Sequence, residues 1–504
     1  MQEISIKKLY LIVFSTGAVV MILELIGSRI LAPALGTSIF IWTSLLGIIL
    51  GAMSLGYFLG GKLADQNPNV KFFSLIIFTS GVLMFFIIII KTSVLEFSVL
   101  LGMKNGAIFS AITLFALPAV LLGAVSPYAA RMAIKEVESS GRTMGNLYAV
   151  STFGSIIGTF LAGFYLIPNF GSTSTLYALA FLLLFISIFS YYDRIRTIGM
   201  LASFLFLFGF SLIVSAIEKE EFIANEDSAY NRIRIYDRED ENGGITRIMA
   251  VENFFDSGMF LGSEELAFDY TRYYRLDEIF KKNIKKTALF GGAAYSVPKD
   301  FLRRNKEGTI DVIEIDLRTT ELAEKYFHLD TTDKRLHIYH EDARIFLNRT
   351  EREGKNKYDV IYNDAFTSTC SIPFHLTTKE SIEKIYNILG DDGVYIMNSV
   401  SAISGENSKF FRAEYKTIKE KFENVFVFPV LSMEKSLLED VQNIMIIATK
   451  KRVDIDEILE NNKEKETGEL LKHYYKYEIK TDDIEILTDD FAPVDHYTSD
   501  FCIF

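Results

Sequence analysis

Ala288-Leu289-Phe290-Gly291-Gly292-Ala293-Ala294-Tyr295-Ser296, and then Asp311-Val312-Ile313-Glu314-Ile315-Asp316, decide the fold of the C-terminal half. Each is a short apolar run closed by residues of another kind. Small residues after Phe290 let the backbone approach a ligand, and a helix starting there offers free N–H groups. Glu314 lies 22 residues after Gly292, close to the ~20 expected for a ribose-binding acid in a nucleotide-binding βαβ unit. Its two acceptor oxygens match a cis diol. The turn is not a GxGxxG fingerprint, so the pair carries the signal rather than the turn alone.

Outward from this pair the pattern repeats. Candidate strands are 233–236, 248–251, 287–290, 311–315, 336–339, 359–362, 394–397, 425–430 and 444–448, with amphipathic segments such as 317–327 and 379–389 between them. Strands alternating with helices predict a mainly parallel sheet whose ligands bind outside the carboxyl ends of the strands. Two more acids stand at such ends. Asp342, in Glu341-Asp342-Ala343-Arg344, can accept from an adenine amino group or cap the helix that follows. Asp364, in Asn363-Asp364-Ala365-Phe366, can act as a base toward an amine or hydroxyl, or cap a loop.

The first 217 residues read differently. They hold 12 Lys+Arg and 7 Asp+Glu, a net of +5, against 40 and 57, a net of −17, in the rest. Uncharged apolar runs at 72–90, 105–130, 146–192 and 197–217, with 9–31 and 39–63, are long enough to cross a bilayer. The 146–192 run holds two helices with Pro168-Asn169-Phe170-Gly171 as the turn, which makes about seven spans. Small residues at Gly47, Gly51, Gly56, Gly60, Gly61, Gly154 and Gly158 suit close helix packing. Glu24 sits inside the first run beside Ser28 and Arg29. An ionisable group at that depth is either a polar site for a headgroup or substrate, or one half of an interhelical pair.

The expected organisation is a transmembrane helical domain (1–217), a linker with a small β-subdomain (218–275) and an α/β Rossmann-like domain (276–504). Lys7, Lys8, Lys62, Lys71, Arg131, Lys135, Arg142, Arg194 and Arg196 fall in odd loops; Arg29, Lys91 and Lys104 fall in even ones. This bias places the N-terminus in the cytoplasm, and seven spans then put the α/β domain outside. A nucleoside cofactor is cytosolic. A cytoplasmic α/β domain is expected, with 197–217 the first segment to question as a full crossing.

Several chemistries find no support. The acidic C-terminal half argues against nucleic acid. Cys370 and Cys502 have no metal-type spacing, and no metal is expected. P-loop, HExxH and GxSxG motifs are missing from the sequence. His375 and His496 are read as structural, although loops could bring them to the site.

Together these residues resemble the spermidine synthase family, within the AdoMet-dependent methyltransferase-like fold. The whole chain is similar to multi-pass membrane proteins with a spermidine synthase-like domain. Glu24-Leu25-Ile26-Gly27-Ser28-Arg29, Leu55-Gly56-Tyr57-Phe58-Leu59-Gly60-Gly61-Lys62-Leu63-Ala64-Asp65 and Asn146-Leu147-Tyr148-Ala149 carry the likeness in the helical half. Ser228-Ala229-Tyr230-Asn231-Arg232-Ile233, Asp269-Tyr270-Thr271-Arg272-Tyr273-Tyr274 and Leu487-Thr488-Asp489-Asp490-Phe491-Ala492-Pro493-Val494 carry it in the rest.

The resemblance implies that Glu314 and Asp342, with Gly291, Gly292 and Ala343, bind the adenosyl donor. It makes Asp364 the catalytic base, with Tyr270 on the acceptor side. Asn231 and Glu24 join the substrate-binding candidates. The implied reaction moves an aminopropyl group from decarboxylated S-adenosylmethionine to putrescine or a membrane-bound amine such as a lipid headgroup. Expected partners are that amine or lipid, the bilayer and a second copy of the chain. Three departures weaken the polyamine side and leave the adenosine side intact. Ala294 stands where the family has an acid for the aminopropyl ammonium. Asp364-Ala365-Phe366-Thr367 lacks the second acid, and Tyr270-Thr271-Arg272 replaces a Tyr-His-Glu segment. An S-adenosylmethionine-dependent methyltransferase, and a transporter or sensor that only binds ligand, are the alternatives.

Overall fold

A computed structural model describes the chain except residues 1–3, 67, 135–138, 220–221, 240–243, 253, 355–356, 367–371, 432–436, 464–465, 500 and 502–504. Cys370, Cys502, Lys135 and Thr367 lie outside the described residues. The chain divides into two compact units that meet between Arg232 and Ile233.

Among the described residues the helical unit contains six helices long and apolar enough to cross a membrane: α1 (Ile6–Leu35), α2 (Ile39–Gln66), α3 (Val70–Leu100), α4 (Gly102–Ala133), α5 (Ser140–Ser190) and α6 (Arg194–Val214). Leu, Ile and Phe fill them, and polar residues set their ends. Ser5 caps α1 through Lys8 N–H, Asn69 caps α3 through Lys71 N–H, and Gly36 at φ 81 stops α1.

Glycines set how the helices pair. A Cβ at Gly154 would stand 2.0 Å from the Phe14 carbonyl oxygen, and one at Gly158 2.5 Å from that of Ala18. The two numbers rise together, so α1 and the first part of α5 are parallel. Gly56 meets Val120 and Gly60 meets Ala124 in the same way, which makes α2 and α4 parallel. Ser74 bonds Ser187 while Gly81 faces Ala180, so α3 and the end of α5 are antiparallel. Since α1 and α3 point the same way, the two parts of α5 run in opposite directions. The break is Gly171, at φ 71 and ψ 175. Its N-terminal part packs on Gly17 through Ser151, and its C-terminal part returns to Lys8 through the Phe189 carbonyl. α5 is therefore two legs joined at the expected turn. α6 lies on α3, with Phe85 and Phe204 rings 4.6 Å apart.

The chain leaves this unit through β1 (Ala224–Asp227) on the face of Gly171 and Arg29. Asp227 Oδ2 accepts from Ser172 N–H at 2.9 Å, which caps the second leg of α5. Arg29 donates to the carbonyls of Ser228, at 2.6 Å, and Tyr230.

The second unit opens with the antiparallel meander β2 (Arg232–Glu239), β3 (Ile245–Val251) and β4 (Phe254–Phe260). A seven-stranded sheet follows: β5 (Lys286–Phe290), β6 (Thr309–Ile313), β7 (Leu336–Tyr339), β8 (Tyr358–Asn363), β9 (Leu389–Ser401), β10 (Asn424–Pro429) and β11 (Gln442–Thr449). Their spatial order is β10-β11-β9-β8-β5-β6-β7. β5 through β9 are parallel, and β11 alone is reversed. Strand order turns around between β5 and β8, where an open α/β sheet leaves a crevice for ligand. Phe290, Ile313, Ile361, Tyr395, Met397 and Ile446 belong to the core over this sheet.

Candidate active site

Backbone bonds hold three strand ends in register beyond the strands. Gly291 N–H donates to the Ile313 carbonyl at 2.9 Å, Asp364 N–H to that of Phe290 at 2.9 Å, and Glu314 N–H to that of Tyr339 at 3.1 Å. β8, β5, β6 and β7 thus end, side by side, in Asp364, Gly291-Gly292, Glu314 and the run leading to Asp342.

The turn after β5 is tightly wound. Gly291 has φ 91, Ala293 φ 44 and Tyr295 φ 55. Tyr295 is fully buried, its ring lies against Gly292, and its hydroxyl meets Thr320 Oγ1 at 2.6 Å. Ala294 is fully buried as well. This position therefore brings no charge to the crevice.

Glu314 is 8% exposed. Its Oε2 accepts from Gly292 N–H at 2.8 Å and Ala293 N–H at 3.3 Å, and its Oε1 from Asp316 N–H at 2.9 Å. Burial pushes its pKa up, against the pull of these three donors. The acid thus shapes the glycine turn, with Oε2 taking two donors and Oε1 one.

Asp342 makes the helix cap that its position suggests: Oδ1 accepts from Arg344 N–H at 2.8 Å and Ile345 N–H at 3.2 Å. Ala343 is the first residue of that helix, Ala343–Glu353. Asp342 Oδ2 lies 3.1 Å from His375 Nε2, and this bond holds the acid below its usual range. His375, read as structural from sequence, therefore stands beside the candidate adenine acid. The C-terminal signature reaches the same helix: Asp489 accepts from Arg344 at 2.5 Å and from Thr378 at 2.7 Å.

Asp364 is half-buried. Oδ1 accepts from Asn398 Nδ2 at 3.0 Å, and Oδ2 faces the Tyr270 hydroxyl at 3.4 Å. Burial raises its pKa to about 6, against the lowering effect of Asn398, Tyr270 and Tyr274. Tyr274 is fully buried, and its hydroxyl donates to the Asn363 carbonyl at 3.4 Å. Burial and the charge of Asp364 keep its phenol protonated. Sequence reasoning missed Tyr274 and Asn398; the signal for Asn398 was an amide inside the apolar strand Tyr395-Ile396-Met397-Asn398.

Glu24 and Asn231 belong to the helical unit, whereas the residues above belong to the α/β unit. Glu24 is buried in α1. Asn231 closes a turn, its N–H donating to Ser228 Oγ at 2.9 Å and its carbonyl accepting from Ser228 N–H at 2.8 Å. Among the described residues no cluster of three or more metal-ligating side chains occurs.

Residues 276–457 match the family described as the spermine/spermidine synthase domain. A polyamine aminopropyltransferase of Vibrio vulnificus is 28% identical over 167 residues, 33% of this chain and 53% of the relative. One from Clostridium acetobutylicum is 31% identical over 144 residues, 28% of this chain and 49% of the relative. The matched stretch spans about half the length of these curated relatives. Among solved structures, the spermidine synthase of Thermotoga maritima aligns with a TM-score of 0.37 at 19% identity, covering 56% of this chain and 84% of that one. A spermidine synthase in complex with the transition-state analogue AdoDATO aligns with a TM-score of 0.39 at 20% identity, covering 56% and 85%.

Proposed function

We propose that this chain, whose residues 276–457 form a spermine/spermidine synthase domain, is a membrane-bound transferase. It moves an aminopropyl group from decarboxylated S-adenosylmethionine to an amine. One observation carries the reading: Asp364, Gly292, Glu314 and Asp342 stand at the carboxyl ends of four neighbouring parallel strands, at the point where strand order reverses. Glu314 takes the ribose diol. Asp342 and His375 face the adenine edge. Asp364 receives the proton that the attacking amine must lose, and its charge favours the sulfonium carbon beside it. A sulfonium already carries its leaving group, so positioning and charge complementarity do most of the work, with ~10²–10⁴-fold from the base.

The acceptor is a small amine such as putrescine or an amine headgroup in the bilayer. Ile315, Leu317, Ile345 and Phe374 remain exposed beside Glu314, Asp342 and His375, where they suit the apolar faces of an adenine. Buried Ala294 favours a second reading, methyl transfer from intact S-adenosylmethionine, because a neutral pocket suits a zwitterionic tail. Products separate the two. Detergent-solubilised full-length protein is given each donor with putrescine or phosphatidylethanolamine, and nucleosides are measured by mass spectrometry. Methylthioadenosine marks aminopropyl transfer and S-adenosylhomocysteine marks methyl transfer. Neither product with any acceptor defeats the transferase reading.

A further inference from the structure

Asp364 is the end of a line of amides that crosses the sheet. Asn443 on β11 donates through Nδ2 to Asn398 Oδ1 on β9 at 3.0 Å, and Asn398 Nδ2 donates to Asp364 Oδ1 at 3.0 Å. β11, β9 and β8 are adjacent, so one short step per strand carries the line to the site. Asn398 is 2% exposed. A buried amide that lost these partners would leave polar atoms unsatisfied, which fixes its place in the line.

The direction of the line matters more than its existence. An Asn side chain offers an oxygen on one side and N–H groups on the other. Asn443 occupies the oxygen of Asn398, so the N–H groups of Asn398 must face Asp364. A carboxylate oxygen met by an N–H is a committed acceptor and a poor place for a proton. Oδ2 faces the Tyr270 hydroxyl at 3.4 Å, a longer contact than the 3.0 Å bond at Oδ1, and the Tyr274 hydroxyl also hydrogen-bonds the carboxylate. Without Asn443, the amide of Asn398 is free to turn, and its oxygen would then meet the carboxylate. That contact is repulsive when Asp364 is ionised and favourable when it is protonated.

We infer that Asn443 and Asn398 are positioning residues that keep Asp364 ionised and direct the acceptor's proton to Oδ2. The inference rests on the reading of Asp364 as the base. In the step they support, the amine lone pair forms the C–N bond while the C–S pair returns to sulfur as a neutral thioether. The ammonium proton then passes to Oδ2, from which it leaves to solvent.

The test uses full-length protein and the pH profile of nucleoside release in wild type, Asn398→Leu, Asn443→Leu and Asn443→Asp. The last variant preserves shape. A carboxylate there cannot donate, so it draws the N–H groups of Asn398 away from Asp364. The acidic limb, near 6 in wild type from the pKa of Asp364, is expected to rise by about half a unit or more in each variant, and furthest in Asn443→Asp. Turnover at pH 6.5 falls about 1.5-fold for a half-unit rise and about threefold for a full unit, while donor KM stays within about twofold. An unmoved limb in both folded Asn443 variants overturns the relay. Asp364→Asn runs alongside: full activity there overturns the base assignment instead, and the relay with it.

Discussion

A Cβ added to Gly291 would stand 2.5 Å from the Asp364 carbonyl oxygen. The glycine turn after β5 and the acid after β8 are thus in backbone contact across the switch point, and neither can move alone. Gly291 also has φ 91, where an L side chain is strained. Gly291→Ala should destabilise the α/β unit by about 1–3 kcal/mol. It should also displace Asp364 enough to lose most nucleoside release. Thermal melting and the product assay check both, and a variant with wild-type melting and turnover would refute the contact.

Asp364 predicts opposite pH effects on activity and stability. Its pKa, raised to about 6 by burial, makes turnover rise with pH through that value. An unfolded Asp titrates near ~3.9. Between these values the folded chain keeps a proton that the unfolded chain has lost. Stability therefore falls as pH rises through the window and stays lower above 6. Asp364→Asn is expected to lose ~10²–10⁴-fold in turnover. It should melt above wild type at pH 7 and close to it at pH 4. A lower melting temperature at pH 7 would mean that the carboxylate stabilises the fold.

The parts legible in sequence were those where local chemistry announces position. Glu314, Asp342 and Asp364 each follow an apolar run, so a strand end and an acid coincide. Pro168-Asn169-Phe170-Gly171 marked the turn of α5 because Gly171 supplies the positive φ that a break requires. β1 was illegible: Ala224-Asn225-Glu226-Asp227 has no apolar alternation. His375 lies 33 residues from the acid it meets, and Asn443 lies 45 from Asn398. Such partners are set by sheet order, which a single sequence does not display.

Spacing likewise could not say which glycines pack. Gly47, Gly51 and Gly61 face open space, whereas Gly56, Gly60, Gly154 and Gly158 touch backbone of a neighbouring helix. Gly154→Leu should separate α1 from the first leg of α5 and abolish monodisperse protein in detergent. Gly51→Ala should change stability by no more than ~0.5 kcal/mol. Size-exclusion profiles and melting curves of the two variants test the distinction. Equal behaviour would mean that these glycines do not set the helix pairing.

The opposed legs of α5 carry a consequence for topology. The two legs of α5 oppose each other, so the start of α1 at Ile6 and the exit at Asp227 lie on opposite faces of the helical unit. Lys7, Lys8, Lys62, Lys71, Arg131, Arg142, Arg194 and Arg196 fall toward the face where α1 starts, and Arg29, Lys91 and Lys104 toward the other. The charge bias would hold the face where α1 starts in the cytoplasm. The proposed donor asks for the reverse, because a sulfonium nucleoside carries a fixed charge and does not cross lipid unaided. The charge bias is a statistical preference, whereas donor supply is a requirement of the reaction. We therefore expect tags at Met1 and Phe504 on opposite sides, with Phe504 in the cytoplasm. Protease protection in intact and permeabilised cells measures this. Both tags on one side would contradict the opposed legs of α5. Phe504 outside would deprive the domain of cytosolic donor, and the transferase reading would fail with it.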